Sequence, residues 1–486
     1  MKQKEFIGII LLFTLLRIVL IPLMGLMPQD AYYCYYGNQL SLSYFDHPPM
    51  IAYLLRLFVT LFGKSVLVLH AADFVTTSFT LWFVYLLLRQ LLNGEDMKRA
   101  FLLVVTAPFI TILCLNSTPD VPLLFFWSLA LLLIYKAVTV DKWYLWLAAG
   151  VVAGCAFDSK YTGLFLPAGL FAYLLLSKTN RRKLFSAKFL IFLISFVAAI
   201  SPVIIWNVQH DFISLRYQST ERAADMGKFH FEARLFSGYF GSQLLMALPL
   251  FYLIIYKAAY SFIRRLITGK HIESNELFSA SFALPLFLLF TVIATIYWVK
   301  INWLMPVYVT ASVLGVMHIR TYKWIRWQTG LSVLVHLAAI AELAWMPVPV
   351  NSDDTWWGWN QLADKVEKIK TGEPGSFIFS DDSYKTSAAL NFYMPMHVYA
   401  GNVIGKDAFQ FAIDDKNLQP LRGKNAIYVT SERNQKKRSA NENIVVNLKR
   451  YFTRVEALDA IRLTDHTGII RRRFAVYRCF NYQPPS

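Results

Sequence analysis

Apolar runs long enough to cross a bilayer alternate along this chain with short polar turns. A membrane helix needs about 20 mostly apolar residues, somewhat fewer where it is short or re-entrant. Eleven stretches qualify: 6–23, 66–92, 100–115, 121–138, 143–157, 161–176, 189–206, 238–256, 277–299, 303–317 and 331–345. The short pair 143–157 and 161–176 reads as broken or tilted, which leaves room for up to 13 spans. The run 48–62 is too short to cross and reads as a helix lying in the outer interface. Pro48 and Pro49 suit a first helical turn, where a missing N–H costs nothing, and Asp46 or His47 would cap it.

The positively charged turns fix an orientation, because short cytoplasmic loops carry the excess of Lys and Arg. Lys2 and Lys4 put the N-terminus in the cytoplasm. Counting spans from there, Lys98–Arg99, Lys178 with Arg181–Lys183, Lys257 with Arg264–Arg265, and Arg320 with Lys323 and Arg326 all fall inside. The chain divides at this level into a membrane part, 1–346, and an outer part, 347–486. In the outer part Pro347 and Pro349 punctuate, charge becomes frequent, and 376–380, 426–430 and 474–480 alternate like strands beside a helix at 383–393. The predicted class is a polytopic α-helical membrane protein with a small C-terminal α/β domain outside.

Composition agrees: 56% of the 486 residues are hydrophobic and 16% charged, against about 25% charged in soluble chains. The net charge of +17 does not signal nucleic acid, since the cations cluster between apolar runs where topology requires them. The four cysteines, Cys34, Cys114, Cys155 and Cys479, show neither metal spacing nor a paired framework. Cys34 and Cys479 could meet outside. The N-terminus reads as a retained first span.

Every outward turn offers an ionisable or amide group, and such groups beside lipid default to a functional reading. The first holds Asp30, Tyr33, Asp46 and His47, the second Asp120, the third Lys160 and Tyr161. The fourth runs WNVQHDFISLRYQSTER from Trp206, and the fifth holds Lys300 and Asn302. Each has a plainer reading. Asp46 caps the helix after Pro48-Pro49, His47 bonds a backbone carbonyl, Asp120 starts a helix, and Lys160 snorkels to headgroups. Asp30 stands out because no helix obviously needs it as a cap. Together these groups suit transfer of a sugar from a polyprenyl phosphate. The acceptor hydroxyl needs a base, the departing phosphate a cation, and sugar and isoprene need aromatic faces.

The motifs DAYY at 30–33, YFDHPPM at 44–50, TPDVPLLFFW at 118–127, SKYTG at 159–163, PVIIWNVQHDF at 202–212, GSQLL at 241–245 and KINW at 300–303 occur in this order. In them the chain resembles the family-39 type of membrane glycosyltransferase with the GT-C fold. That group is related to protein O-mannosyltransferases and aminoarabinose transferases, and the chain is most similar to its bacterial lipopolysaccharide and lipid A branch. The resemblance implies Asp30 as catalytic base, Asp120 shaping the substrate site, Lys160 near the donor phosphate and His47 at the rim. Tyr33, Tyr161, Lys300 and Asn302 complete the binding set, with Asp46, Pro48 and Pro49 as structural loop. It implies a polyprenyl-phosphate-sugar donor, a lipid A, lipopolysaccharide or other surface-glycan acceptor, an inverting reaction and the bacterial inner membrane, with a periplasmic C-terminal domain. No cofactor is expected, although a divalent cation is conceivable. Relatives often read Asp-Glu-Ala-Tyr-Tyr, and here Gln29 takes the place of the first acid. A transporter or flippase, or a non-catalytic binder of lipid-linked sugar, are the competing readings.

Overall fold

The computed structural model describes residues 1–221, 231–348, 352–432 and 440–484; Arg222 of the fourth turn and Pro349 lie outside these. Among the described residues five helices are long and apolar enough to cross a membrane: Val66–Leu91, Asp120–Val140, Ala187–Gln209, Ser274–Ile293 and Tyr322–Trp345. A sixth crossing arises if Ala233–Ala247 and Pro249–Ile267, bent by 113°, form one span. These match six of the eleven predicted runs. Of the others, 6–23 is the continuous 18-residue helix Gln3–Leu20, which carries Lys4, Glu5 and Arg17, and the rest are shorter or broken helices. In chain order the first ten are α1 (Gln3–Leu20), α2 (Pro28–Tyr36), α3 (Met50–Phe62), α4 (Val66–Leu91), α5 (Gly94–Val105), α6 (Pro108–Leu113), α7 (Asp120–Val140), α8 (Trp143–Phe157), α9 (Phe165–Leu176) and α10 (Ala187–Gln209).

The predicted run 100–115 is interrupted between α5 and α6, and its repair is visible. Pro108 has no N–H to continue the ladder, and buried side chains take up the carbonyls that the break exposes. Arg17 of α1, 2% exposed, donates to Val105 O and to Thr111 Oγ1 (3.1 Å). Ser332 Oγ donates to Thr106 O, and His336 Nε2 meets Thr111 Oγ1 at 2.6 Å. An intramembrane arginine is expensive unless satisfied in this way. On its other face α1 exposes Leu11, Leu15 and Ile18, as a lipid-facing stripe does.

The short helix α8 owes its place to two glycines one turn apart. A Cβ on Gly150 would sit 2.0 Å from Ser195 Oγ, and one on Gly154 2.4 Å from Ala199 Cβ. Only a bare backbone lets α8 lie this close to α10, the small-xxx-small mode of membrane helix packing. The turn that leaves α8 carries Lys160.

After Trp359 the chain builds a five-stranded sheet of order β2-β1-β3-β5-β4, with β1 Phe377–Phe379, β2 Val398–Tyr399, β3 Ala426–Ser431, β4 Phe452–Thr464 and β5 Ile470–Tyr482. β1 pairs in parallel with β2 and β3, whereas β5 runs antiparallel to β3 and β4. Three of these strands fall on predicted segments. β4 was not expected, because its alternation is diluted by outward Arg454, Glu456 and Asp459. One continuous core joins this sheet to the first turn: Tyr32, Tyr36 and Leu55 share a cluster with Ile378, Leu390 and Phe411. All four cysteines are free thiols, so Cys34 and Cys479 do not pair.

Candidate active site

The second and third of the turns predicted to face outward meet in a buried ion pair. Asp120 opens α7, and its carboxylate is 1% exposed. Lys160 Nζ donates to both its oxygens, at 2.8 and 3.0 Å, and Asn302 Nδ2 donates to Oδ2 at 2.5 Å. Three turns separated by up to 182 residues thus share one carboxylate. The tight turn after α8 aims Lys160. Gly163 N bonds Lys160 O at 2.8 Å, and a Cβ on Gly163 would strike Phe157 N at 2.3 Å.

Beside this pair lies a wall of tyrosines. Asp46 Oδ1 accepts from Tyr36 Oη and, at 3.4 Å, from Tyr32 Oη, while Oδ2 stands 3.9 Å from His47 Nε2. The His47 and Tyr33 rings meet edge to face at 5.9 Å. Burial and the nearby carboxylates of Asp46 and Asp120 hold the Tyr33 phenol well above its ordinary range. Tyr161 Oη meets Ser214 Oγ at 2.6 Å, and Asn207 Oδ1 accepts from Leu215 N at 3.2 Å, so the fourth turn closes this side. Lys300 lies exposed on the loop that carries Asn302.

Two sequence expectations need correction. Asp46 does not cap α3: the helix begins after Pro49 with no side-chain cap, and Asp46 points into the tyrosine wall instead. Asp30 does serve as a cap. It is the third residue of α2, and its Oδ2 accepts Met27 N at 2.8 Å. Its Oδ1 accepts Ser117 N at 2.7 Å, and His70 Nε2 lies 3.4 Å from Oδ2. Asp30 is 0% exposed, so neither oxygen is presented to a substrate in this structure. Beneath it Asp73 Oδ2 accepts from Ser117 Oγ at 2.7 Å. His70 and Asp73 were not legible as site residues, because they sit inside an apolar run whose polar positions carry no motif. Gln29, where relatives often keep an acid, reaches Asp354 Oδ1 of the C-terminal part at 3.5 Å.

Asp158 is a further acid of the third turn. It is 5% exposed, its Oδ1 has no hydrogen-bond partner, and burial pushes its carboxyl up to about 7. Its backbone carbonyl accepts Met50 N at 3.1 Å, which ties the His-Pro-Pro segment to the lysine turn. Among the described residues no three His, Cys, Asp or Glu side chains are grouped to hold a metal ion.

The fold that holds this site is seen in known proteins. ArnT from Cupriavidus metallidurans, in its structure bound to undecaprenyl phosphate, superposes with a TM-score of 0.64 over 97% of both chains, at 13% identity. The fold is that of ArnT. This is the GT-C fold implied by the motifs. The oligosaccharyltransferase of Archaeoglobus fulgidus shares it with a TM-score of 0.52, at 14% identity over 96% of this chain and 72% of that one. In sequence, residues 46–206 match the family model described as dolichyl-phosphate-mannose-protein mannosyltransferase. That span begins at Asp46 and includes Asp120 and Lys160. The lipid A galacturonosyltransferase RgtD of Rhizobium johnstonii is 25% identical over 355 residues, 71% of this chain and 70% of that protein. The chain is a multi-pass membrane protein of the ArnT fold, similar in sequence to a bacterial lipid A galacturonosyltransferase.

Proposed function

We propose that the protein transfers a sugar from a polyprenyl phosphate to a hydroxyl of a lipid A or lipopolysaccharide acceptor, at the outer face of the inner membrane. The observation that carries this reading is the Lys160–Asp120–Asn302 cluster. An ammonium has three N–H donors; two meet Asp120, and the third is the natural partner of a phosphate oxygen. As the C–O bond to phosphate breaks, charge grows on that phosphate, and a pre-oriented cation in a water-poor site stabilises it. The ArnT structure holding undecaprenyl phosphate and the similarity to a lipid A galacturonosyltransferase support the donor and acceptor classes.

We assign the general base to Asp46 in place of Asp30. Asp30 has one oxygen committed to Ser117 N, in the turn that carries Asp120, and the other to Met27 N at the start of α2. Asp46 lies in the wall shared by Tyr32, Tyr33 and Tyr36, with His47 alongside. In the inverting reaction Asp46 takes the acceptor proton, the hydroxyl oxygen attacks the anomeric carbon, and polyprenyl phosphate leaves towards Lys160. Purified protein, offered polyprenyl phosphosugars and lipid A, is expected to release polyprenyl phosphate and to form a heavier lipid A. Asp46→Asn should lower turnover by roughly 10²–10⁴-fold. Movement of labelled substrate into sealed vesicles without a covalent product would overturn the reading in favour of transport.

A further inference from the structure

Four half-buried aromatic rings from four separate segments converge above Asp46. Phe45 comes from the first turn, Tyr217 from the fourth, and Tyr384 and Phe409 from loops of the C-terminal part. Their centroids lie 5.0 Å apart for Phe45–Tyr217, 5.4 Å for Phe45–Phe409, 5.6 Å for Tyr217–Phe409 and 5.6 Å for Tyr384–Phe409. Tyr384 also stacks on Tyr32 at 4.3 Å.

The backbone is irregular at one of these positions and next to two others. Phe409 has φ 52° and ψ −129°, a conformation that suits glycine and not an aromatic residue. Ser383, which precedes Tyr384, has φ 71°. Tyr217 opens a π-helical turn, Tyr217–Glu221, of a kind found frequently at functional sites. Strained backbone persists only where the surroundings over-determine it, and it gathers where a ligand must be met. Tyr384 and Phe409 pack with part of their surface against the core that joins the sheet to the first turn, yet none of the four rings is fully buried.

We propose that Phe45, Tyr217, Tyr384 and Phe409 form a platform for a sugar ring of the acceptor. A pyranose has a C–H face that lies on aromatic rings and a rim of hydroxyls that needs polar partners. Both are present. Gln410 holds Phe45 N at 2.9 Å through Oε1, Gln218 Nε2 donates to Asp46 O, and the Tyr32 and Tyr36 hydroxyls meet the Asp46 carboxylate. The platform is one residue away from Asp46, so a ring seated on it brings a hydroxyl towards that carboxylate. An isoprenoid chain is the less suitable occupant, because two of the rings belong to the sheet-bearing part, where Asp381, Asp382 and Lys385 are close in sequence to Tyr384.

This inference rests on the reaction proposed above, and the test separates the two. Purified full-length wild type and Phe45→Leu, Tyr217→Leu and Phe409→Leu would be assayed with an undecaprenyl phosphosugar and lipid A. Leucine keeps apolar volume and removes the flat face. The expected result is an acceptor KM about 3- to 10-fold higher for each variant, with donor KM within 2-fold and the thermal transition unchanged. Phe409→Tyr should keep the wild-type acceptor KM. A rise in donor KM alone would assign the rings to the lipid, and an unchanged acceptor KM would remove the platform while leaving the reaction intact. No release of polyprenyl phosphate by wild type would overturn the reaction itself. Saturation-transfer NMR with methyl glucoside then decides the platform alone. Transfer from aromatic protons to the ring in wild type, reduced in Phe409→Leu, supports it; none in wild type, or equal transfer in both, overturns it.

Discussion

Asp30 accepts the backbone N–H of Ser117 at 2.7 Å, with its own side chain fully out of reach of solvent. The contact joins the first outward turn to the second, three residues before Asp120. Asp30→Asn weakens this charge-assisted bond and the bond to Met27 N. It should cost about 1–3 kcal/mol and reduce turnover only in part. Thermal unfolding and turnover measured on one preparation test this. Unchanged stability with activity abolished would return Asp30 to the role of base.

Lys160 and Asp120 form a pair in which neither charge is solvated, at 11% and 1% side-chain exposure. Removing one member of such a pair costs about 3–5 kcal/mol, because the other is left without its counter-charge. Lys160→Met should therefore destabilise more than the double variant Lys160→Met/Asp120→Leu, although both lose activity. Equal midpoints in denaturant would show that the pair contributes little to folding.

The buried Asp158 carboxyl, raised from 3.8 to about 7, gives stability a definite pH dependence. A raised acid binds its proton more tightly in the folded state. Its burden is absent below about pH 4, grows as pH rises, and levels off above about pH 7, reaching roughly 4 kcal/mol. Asp158→Asn should raise the thermal transition at pH 8 and change little at pH 4. A stabilisation that is the same at both pH values would mean that Asp158 is ionised freely in the fold.

Close approach of α8 to α10 allows no side chain at Gly150 or Gly154. Gly150→Val should cost about 1–3 kcal/mol through overpacking and should also weaken donor binding, since Lys160 follows the same helix. Gly241→Val, where a Cβ meets nothing within 4 Å, serves as the control and should do neither.

Much of the helical scaffold was legible in the sequence, because its apolar periods are long and uninterrupted. The five long spans fall on predicted runs, and the short run 48–62 contains the helix Met50–Phe62. Lys160, Asp120 and Asn302 stood in three different turns, and the structure brings all three into contact. What could not be read was the direction in which each acid points. Asp30 looked available because its partners are a backbone N–H 87 residues away and a histidine inside an apolar helix. Asp46 looked like a cap because it precedes two prolines, but tyrosine hydroxyls claim it. The aromatic convergence was equally hidden, since Phe45 and Phe409 are 364 positions apart and no periodicity links them.

The hydrogen bond from Gln410 N to Tyr32 Oη, at 3.1 Å, spans 378 residues. At a synthesis rate of about 5–20 residues per second, Tyr32 waits roughly 20 to 75 s for the chain that completes its surroundings. For most of that interval Tyr32 lacks both Gln410 and the ring of Tyr384. A ribosome that stalls between Trp345 and Tyr384 would leave a protein with its long apolar helices made and Tyr32 without the ring and the backbone N–H that cover it.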